Sequence, residues 1–417
     1  MSKAYLILQD GTVFEGFSIG ETGRTVGEVV FTTGMTGYVE TLTDPSYFGQ
    51  IVTQTFPLIG NYGVEKEDFE SRKSWVRGYI VRELCERASN FRCEGDLDTF
   101  LKEQRIVGIA GIDTRALTKK LRNAGVMNGM ILSGEESESL KTEKGNIIAG
   151  EEILKEIRSY KIENAVKSVQ SNKEGDFKGE SIASPLGEGV ATNEVGAQGK
   201  TFPSLKSVVL WDFGAKANIQ RELEKRGCKV TVLPYNTRAE EIISLSPDGL
   251  MLSNGPGDPA ENAGVIEEIR KLCEWNKEIV GSSPTMTGKA SETMTEKAIP
   301  IFGICLGHQM LALARGAKTS KLKYGHRGGN HPCKDLESGR VYITSQNHGY
   351  AVESQTLPPF ARLSFVNAND GTCEGVTYTD IPAFSVQFHP EACGGPHDTN
   401  FLFDKFLKIM ENHHATK

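Results

Sequence analysis

Between Ile299 and Arg315 the chain changes its hydrophobic period around one cysteine, and few folds accommodate such a change. Ile299–Ile304 is a short apolar run of strand type, and Gln309-Met-Leu-Ala-Leu-Ala-Arg315 joins strong helix formers with no breaker before Gly316. Between them stands Gly303-Ile-Cys-Leu-Gly307. A strand that turns abruptly into a helix crowds its own backbone, and glycines two residues either side of the central one relieve the clash, as in a nucleophile elbow. The Cys305 thiol would then stand at a helix N-terminus. There the orphan N–H groups and the helix dipole favour the reactive thiolate and can hold an oxyanion on a substrate. A buried core cysteine beside a tight turn is the competing reading of these five residues, because free cysteine is among the most buried residue types.

At 417 residues the chain has room for two or three domains, each able to bury its own core. Hydrophobic residues at 38% and charged residues at 24% exclude a wholly disordered chain. The net charge of −7 speaks against nucleic acid or an anionic membrane as the main partner. No apolar run reaches the length of a membrane span, and Met1–Asp10 leads straight into a strand-like segment without the regions of a signal peptide, so a cytoplasmic location is expected. Cysteines 85, 93, 228, 273, 305, 333, 373 and 393 form no CxxC pair, which indicates neither a disulfide framework nor a zinc ribbon.

The pattern divides the chain into residues 1–133, 134–204 and 205–417. The first part is β-rich: Tyr5–Leu8, Thr12–Phe14, Gly27–Thr32 and Gln50–Phe56 are short β-branched runs between turn signals, with helices expected at Leu97–Glu103 and Thr114–Asn123. Gly34–Gly37 and Thr43–Tyr47 read as polar loops. The second part is polar, rich in Ser and Gly, and reads as a solvated connector enclosing one helix near Gly150–Tyr160. The third part alternates strand and helix, which implies an α/β domain with a doubly wound, mostly parallel sheet. Its strands are expected at Ser207–Phe213, Lys229–Leu233 and Pro247–Ser253, its helices at Ala217–Arg226 and Arg238–Leu245. In such sheets the site lies beyond the carboxyl ends of the strands, which puts Asn254-Gly-Pro-Gly-Asp-Pro259 beside Cys305; taken alone, that loop reads as a plain turn. Gly281–Glu296, without periodicity, reads as a surface insertion, and Phe401–Met410 as an amphipathic terminal helix.

A cysteine nucleophile needs a base, and the base an orienting group. His389 follows the strand Ala383–Phe388, and Glu391 lies two residues on, facing the same way if the chain stays extended. This His-x-Glu at a strand's carboxyl end is the candidate base and orienter. His326, His331, Cys333 and His348 lie close in sequence but match no zinc pattern, so no metal is expected; Gly328–Pro332 and Gln346–Tyr350 read as loops that bind a polar ligand.

Gly303–Gln309, Asn254–Pro259 and Phe388-His-Pro-Glu-Ala392 together resemble the class I, triad-type glutamine amidotransferases. Gly34–Tyr47, Ile59–Gly63, Gly108–Leu117, Asp212–Lys216 and Gly328–Asp335 narrow the resemblance to the small, glutaminase subunits of carbamoyl-phosphate synthetase, over nearly the whole chain. The resemblance implies that Cys305 attacks the side-chain amide of glutamine, with His389 as base and then acid and Glu391 orienting it. It also implies an oxyanion hole from the N–H groups of Leu306 and Gly257, with Gly255, Gln309, Asn347, Gly349 and Tyr350 holding glutamine and Ser46 reaching across from the N-terminal part. Tyr350 and Met310 depart from the commoner Phe and Leu, and the connector and insertion are longer than the family pattern.

The implied partner is a large subunit that takes the ammonia, with bicarbonate and ATP, to carbamoyl phosphate, in arginine or pyrimidine synthesis. ATP and Mg are expected there only, since no Walker-type loop occurs in this chain. The competing expectations are a catalytically inactive scaffold of the same fold, which a complete triad disfavours, and a cysteine peptidase on a related fold.

Overall fold

The computed structural model describes residues 2–143, 146–170, 205–281 and 297–414. Residues 171–204 of the connector and residues 282–296 of the insertion lie outside the described residues.

The N-terminal part closes into a barrel. Its strands are β1 (Lys3–Leu8), β2 (Val13–Gly20), β3 (Arg24–Thr32), β4 (Gln50–Gln54), β5 (Gly78–Ile80), β6 (Val107–Ala110) and β7 (Met127–Ser133). They pair in the order β1-β2-β6-β5-β4-β3-β7, and β7 returns to β1, so no strand is left with an open edge. Short α2 (Leu97–Glu103) and α3 (Thr114–Ala124) start where Asp96 and Asp113 accept the N–H of Thr99 and Ala116. Between the two stretches read as loops lies a helix, α1 (Tyr38–Thr43), and the second stretch contains a 3₁₀ turn at Pro45–Tyr47. Its start is a glycine in the left-handed region, Gly37 at φ 78°, and Asp44 caps the turn by accepting Ser46 N–H at 2.8 Å.

The described connector is packed rather than solvated. Helix α4 (Glu151–Ser159) buries Ile157 against the barrel beside Met130 and Leu132, and α5 (Ala165–Val169) buries Val166 in the core of the C-terminal domain. Gln170 Nε2 donates to Asp212 O at 2.9 Å.

The C-terminal domain is built on one sheet. Its strands are β8 (Lys206–Asp212), β9 (Cys228–Pro234), β10 (Gly249–Leu252), β11 (Ile301–Ile304), β12 (Thr319–Asp335), β13 (Val341–Val352), β14 (Ala361–Asn367), β15 (Cys373–Tyr378) and β16 (Ala383–Val386). The order is β9-β8-β10-β11-β16-β15-β14-β12-β13; the first five run parallel, and the remainder extend the sheet antiparallel. Side chains alternate between two cores. Val209 and Trp211 join α7 (Ala239–Ser244), α8 (Ala263–Gly281) and α9 (Leu306–Ala314), while Val208 and Leu210 join α6 (Ala217–Lys225) and α10 (Phe401–His414). Helices therefore cover both faces, and each fully buried Leu, Ile or Phe contributes about 1.5–3 kcal/mol.

Gly328–Pro332 and Gln346–Tyr350, expected as loops, lie within the long strands β12 and β13. Their buried side chains are polar, so the apolar alternation that marks a strand is missing. Register shifts between Lys321/His326 and Gly328/His331, with Gly325 and Gly328 at φ 72° and 141°, add the turn-like glycines.

Candidate active site

Strand β11 runs into α9 through Cys305, whose backbone stands at φ 53°, ψ −104°, a conformation that a non-glycine residue holds only when its surroundings impose it. The flanking glycines impose it. A Cβ on Gly307 would sit 2.4 Å from Leu252 O, and one on Gly303 would meet the Gly307 backbone at 3.1 Å. Helix α9 therefore lies too close to β10 at Gly307 for a side chain, and the room at Gly303 is tight. Cys305 is buried at 3% exposure, yet it borders a cavity of about 340 Å³, so the two readings of the elbow are reconciled. Ser46, Gly255, Gly257, Gln309, Asn347, Gly349 and Tyr350 line the same cavity. Leu306 begins α9, where an N–H has no partner within the helix, and Gly257 stands at φ 89°.

Strand β16 lies next to β11, and Cys305 N–H donates to Val386 O at 2.9 Å, so the chain leaving β16 passes the nucleophile. It carries His389 and Glu391, each 1% exposed, with Nδ1–H donating to Glu391 Oε1 at 2.6 Å. The donor Nδ1 leaves Nε2 as the proton-accepting atom, and that atom has no other hydrogen-bond partner among the described residues. Burial and the nearby Lys216 both push the imidazole down. The Glu391 carboxylate and the Cys305 side chain outweigh them and lift it to about 10. Burial raises Glu391, but His389 and Lys216 prevail and hold it down at about 2.

Lys216, Asp44 and Asn254 carry no assigned role in the sequence reading, although all lie in its quoted segments. Lys216 Nζ lies 3.4 Å from Glu391 Oε1 and 3.7 Å from Asp44 Oδ2. Asp44 also accepts Asn347 Nδ2–H at 3.1 Å. Asn254 Nδ2 donates to Ser46 Oγ at 2.9 Å, and its Oδ1 accepts Lys216 N–H at 2.9 Å. One buried polar network thus ties the barrel to the triad. The visible signal was a lysine in the short turn after a buried strand, where a charge needs partners. Gln309 Nε2 is taken by Tyr350 O at 2.7 Å and Gln387 Oε1 at 2.9 Å, which leaves its carbonyl for a ligand. His308 is set aside: its Nδ1 meets Ser385 Oγ at 2.8 Å, and burial drives it down to about 3.

Of the residues weighed as metal ligands, the structure gathers His326 and His348 with Glu374, their ligand atoms within 4.8 Å of one another. Asn367 Nδ2 stands 3.5 Å from His326 Nδ1 and 3.4 Å from Glu374 Oε1, so a hydrogen-bond donor already faces the two atoms a cation would need.

A doubly wound sheet with a cysteine elbow at its centre defines the class, and residues 209–409 match the family model described as glutamine amidotransferase class-I. The C-terminal half is a class-I glutamine amidotransferase domain. Residues 6–131 match the model described as carbamoyl-phosphate synthase small chain, CPSase domain. The chain is 47% identical over 406 residues to the carbamoyl phosphate synthase small chain of Clostridium perfringens, covering 97% of this chain and 99% of that one. It is 48% identical over 412 residues to the protein of that name from Listeria monocytogenes, covering 98% and 97%. The chain belongs to the carbamoyl phosphate synthase small chain family. A solved structure from Thermoplasma acidophilum, described as a GMP synthase subunit, overlaps 50% of this chain and 96% of its own, at 21% identity and a TM-score of 0.41.

Proposed function

We propose that this chain hydrolyses glutamine at Cys305 and delivers the ammonia to a large synthetase subunit. The observation that carries the reading is the elbow thiol at the cavity wall, with the His389–Glu391 pair on the adjoining strand. Cys305 Sγ attacks the side-chain carbonyl carbon of glutamine, and the oxygen, now negative, falls to the N–H groups of Leu306 and Gly257. His389 holds the thiol proton and passes it to the departing nitrogen, so that ammonia leaves and a thioester remains. Water, activated by the same imidazole, attacks the thioester; glutamate leaves and the thiol is restored. Glu391, itself fixed by Lys216, keeps Nδ1 protonated and Nε2 turned toward the sulfur.

Ammonia freed into water at neutral pH becomes mostly ammonium, which has no lone pair for attack. A large subunit docked on this chain would receive the neutral molecule enclosed, and ATP and Mg would belong to that partner. The test is glutamate release by the purified chain. Cys305→Ala should abolish it, by at least about ten-thousandfold, with an unchanged melting temperature. Substantial release by the variant would overturn the assignment, and a wild-type chain inert alone and with a large subunit would favour an inactive scaffold.

A further inference from the structure

The connector reaches the catalytic centre through one methyl group. Its helix α5 lies outside both matched regions, residues 6–131 and 209–409. The first residue of α5, Ala165, is 3% exposed and does not border the substrate cavity, whereas Gly257 does. A Cβ on Gly257 would stand 2.7 Å from Ala165 Cβ, so the methyl rests on that glycine from behind. The last residue of α5 supports the loop one position earlier. A Cβ on Gly214 would lie 2.9 Å from Val169 Cγ2 and 3.0 Å from Pro256 Cδ, so Val169 and Pro256 meet over the same bare backbone. The helix itself is anchored. Val166 is buried in the core of the C-terminal domain, and the amide of Gln170 is held at both ends, Nε2 donating to Asp212 O at 2.9 Å and Oε1 accepting Tyr235 N–H at 3.4 Å.

A donor to an oxyanion lowers the barrier only if it is aimed before the charge develops. Leu306 N–H is aimed by the start of α9, but Gly257 N–H belongs to a loop. The loop is pinned on either side of it: Asn254 bonds Ser46 and Lys216, and Asp258 accepts Ala260 N–H at 2.9 Å. Between those points Gly257 stands at φ 89° with no side chain to fix it, and glycine changes backbone conformation more freely than any other residue. Its restraint comes from the side away from the cavity, where Ala165 stands. We propose that Ala165 is a positioning residue, through which α5 holds Gly257 N–H toward the oxygen of the substrate amide. The connector is then part of the catalytic apparatus and not only a link between domains. The proposal deepens the glutaminase reading and rests on it for the chemistry.

Ala165→Gly removes the methyl, and Ala165→Val adds bulk against Gly257. In the full-length chain kcat for glutamate release should fall about tenfold in the first and about a hundredfold in the second, with KM held, because an oxyanion contact is made in the transition state alone. Ala165→Ser keeps the Cβ and should recover turnover to within about threefold of wild type. Alkylation of Cys305 by iodoacetamide, followed by mass spectrometry of the Cys305 peptide, supplies the contrast. There the thiolate forms a carbon–sulfur bond as iodide leaves, and no oxyanion arises, so the rate in Ala165→Gly should equal that of wild type. A methyl needed only for folding would change alkylation, KM and melting temperature along with turnover. Wild-type kcat in Ala165→Gly, or a loss of kcat matched by an equal loss in alkylation rate, would overturn the proposal, and Ala165→Gly decides the matter if Ala165→Val does not fold. A wild type that releases no glutamate, alone or with a large subunit, would instead overturn the glutaminase reading, and this proposal with it.

Discussion

At the scale of single residues the site is a chain of charges, each holding the next. Asp44 and Glu391 flank Lys216, and Glu391 holds His389 in one tautomer. His389 is raised above its ordinary 6.5, so the stability it contributes is complete below 6.5 and is lost as pH climbs through about 10. Glu391 is depressed below 4.5, so its contribution is present above 4.5 and is lost as pH falls through about 2. The pair is worth most between 4.5 and 6.5. Melting curves of Glu391→Gln against wild type should therefore differ most in that window and converge as pH rises toward about 10. Without Glu391, burial and Lys216 act on the imidazole unopposed by a carboxylate, so the alkaline limb of the pH–rate profile, where His389 gives up the proton it must pass on, should move to lower pH. Turnover should drop about a hundredfold and remain measurable, since orientation contributes less than proton transfer. A profile that does not move would show that Glu391 does not set the state of His389.

At the scale of elements, the elbow is a steric device. Gly307→Ala places a methyl 2.4 Å from Leu252 O, so β10 and α9 must separate. Glutamine hydrolysis should fall by about a hundredfold, since misplacing a catalytic group by an ångström costs that much; circular dichroism should show the same secondary structure. Unchanged turnover would mean that the close crossing does not position the thiol. This element was legible because its signals are local: an apolar strand, two glycines, a run of helix formers. The His-x-Glu was legible for the same reason, standing at the end of an apolar strand. The stretches Gly328–Pro332 and Gln346–Tyr350 read as loops because a strand that buries His326, Asn347 and His348 shows no apolar alternation. Helix α1 escapes a sequence reading because it is short and its start depends on Gly37 in a left-handed conformation. The burial of α5 could not be read from its composition; its partners, such as Trp211 and Phe213, are remote in sequence. The contacts of Lys216 arise only when the barrel and the sheet meet, so a reading along the chain had no means of pairing it.

At the scale of the whole molecule, the barrel completes the site. Asp44 and Ser46 come from it, Asn347 and Asn254 from the sheet, and their hydrogen bonds span the contact between the two. Ala217 N–H donates to Glu70 O at 2.8 Å, and Lys321 pairs with Glu28 at 2.7 Å, so the same contact is held at two further places. A site shared in this way would suit the proposed delivery of ammonia to a second active site without meeting water. The measurement that tests this division of labour most directly compares nitrogen sources in a complex of the Cys305→Ser chain with its large subunit, assembly being confirmed by gel filtration. The account predicts no carbamoyl phosphate from glutamine and undiminished synthesis from ample ammonium salt. Synthesis from glutamine at the wild-type rate, or failure with both sources in the assembled complex, would contradict it.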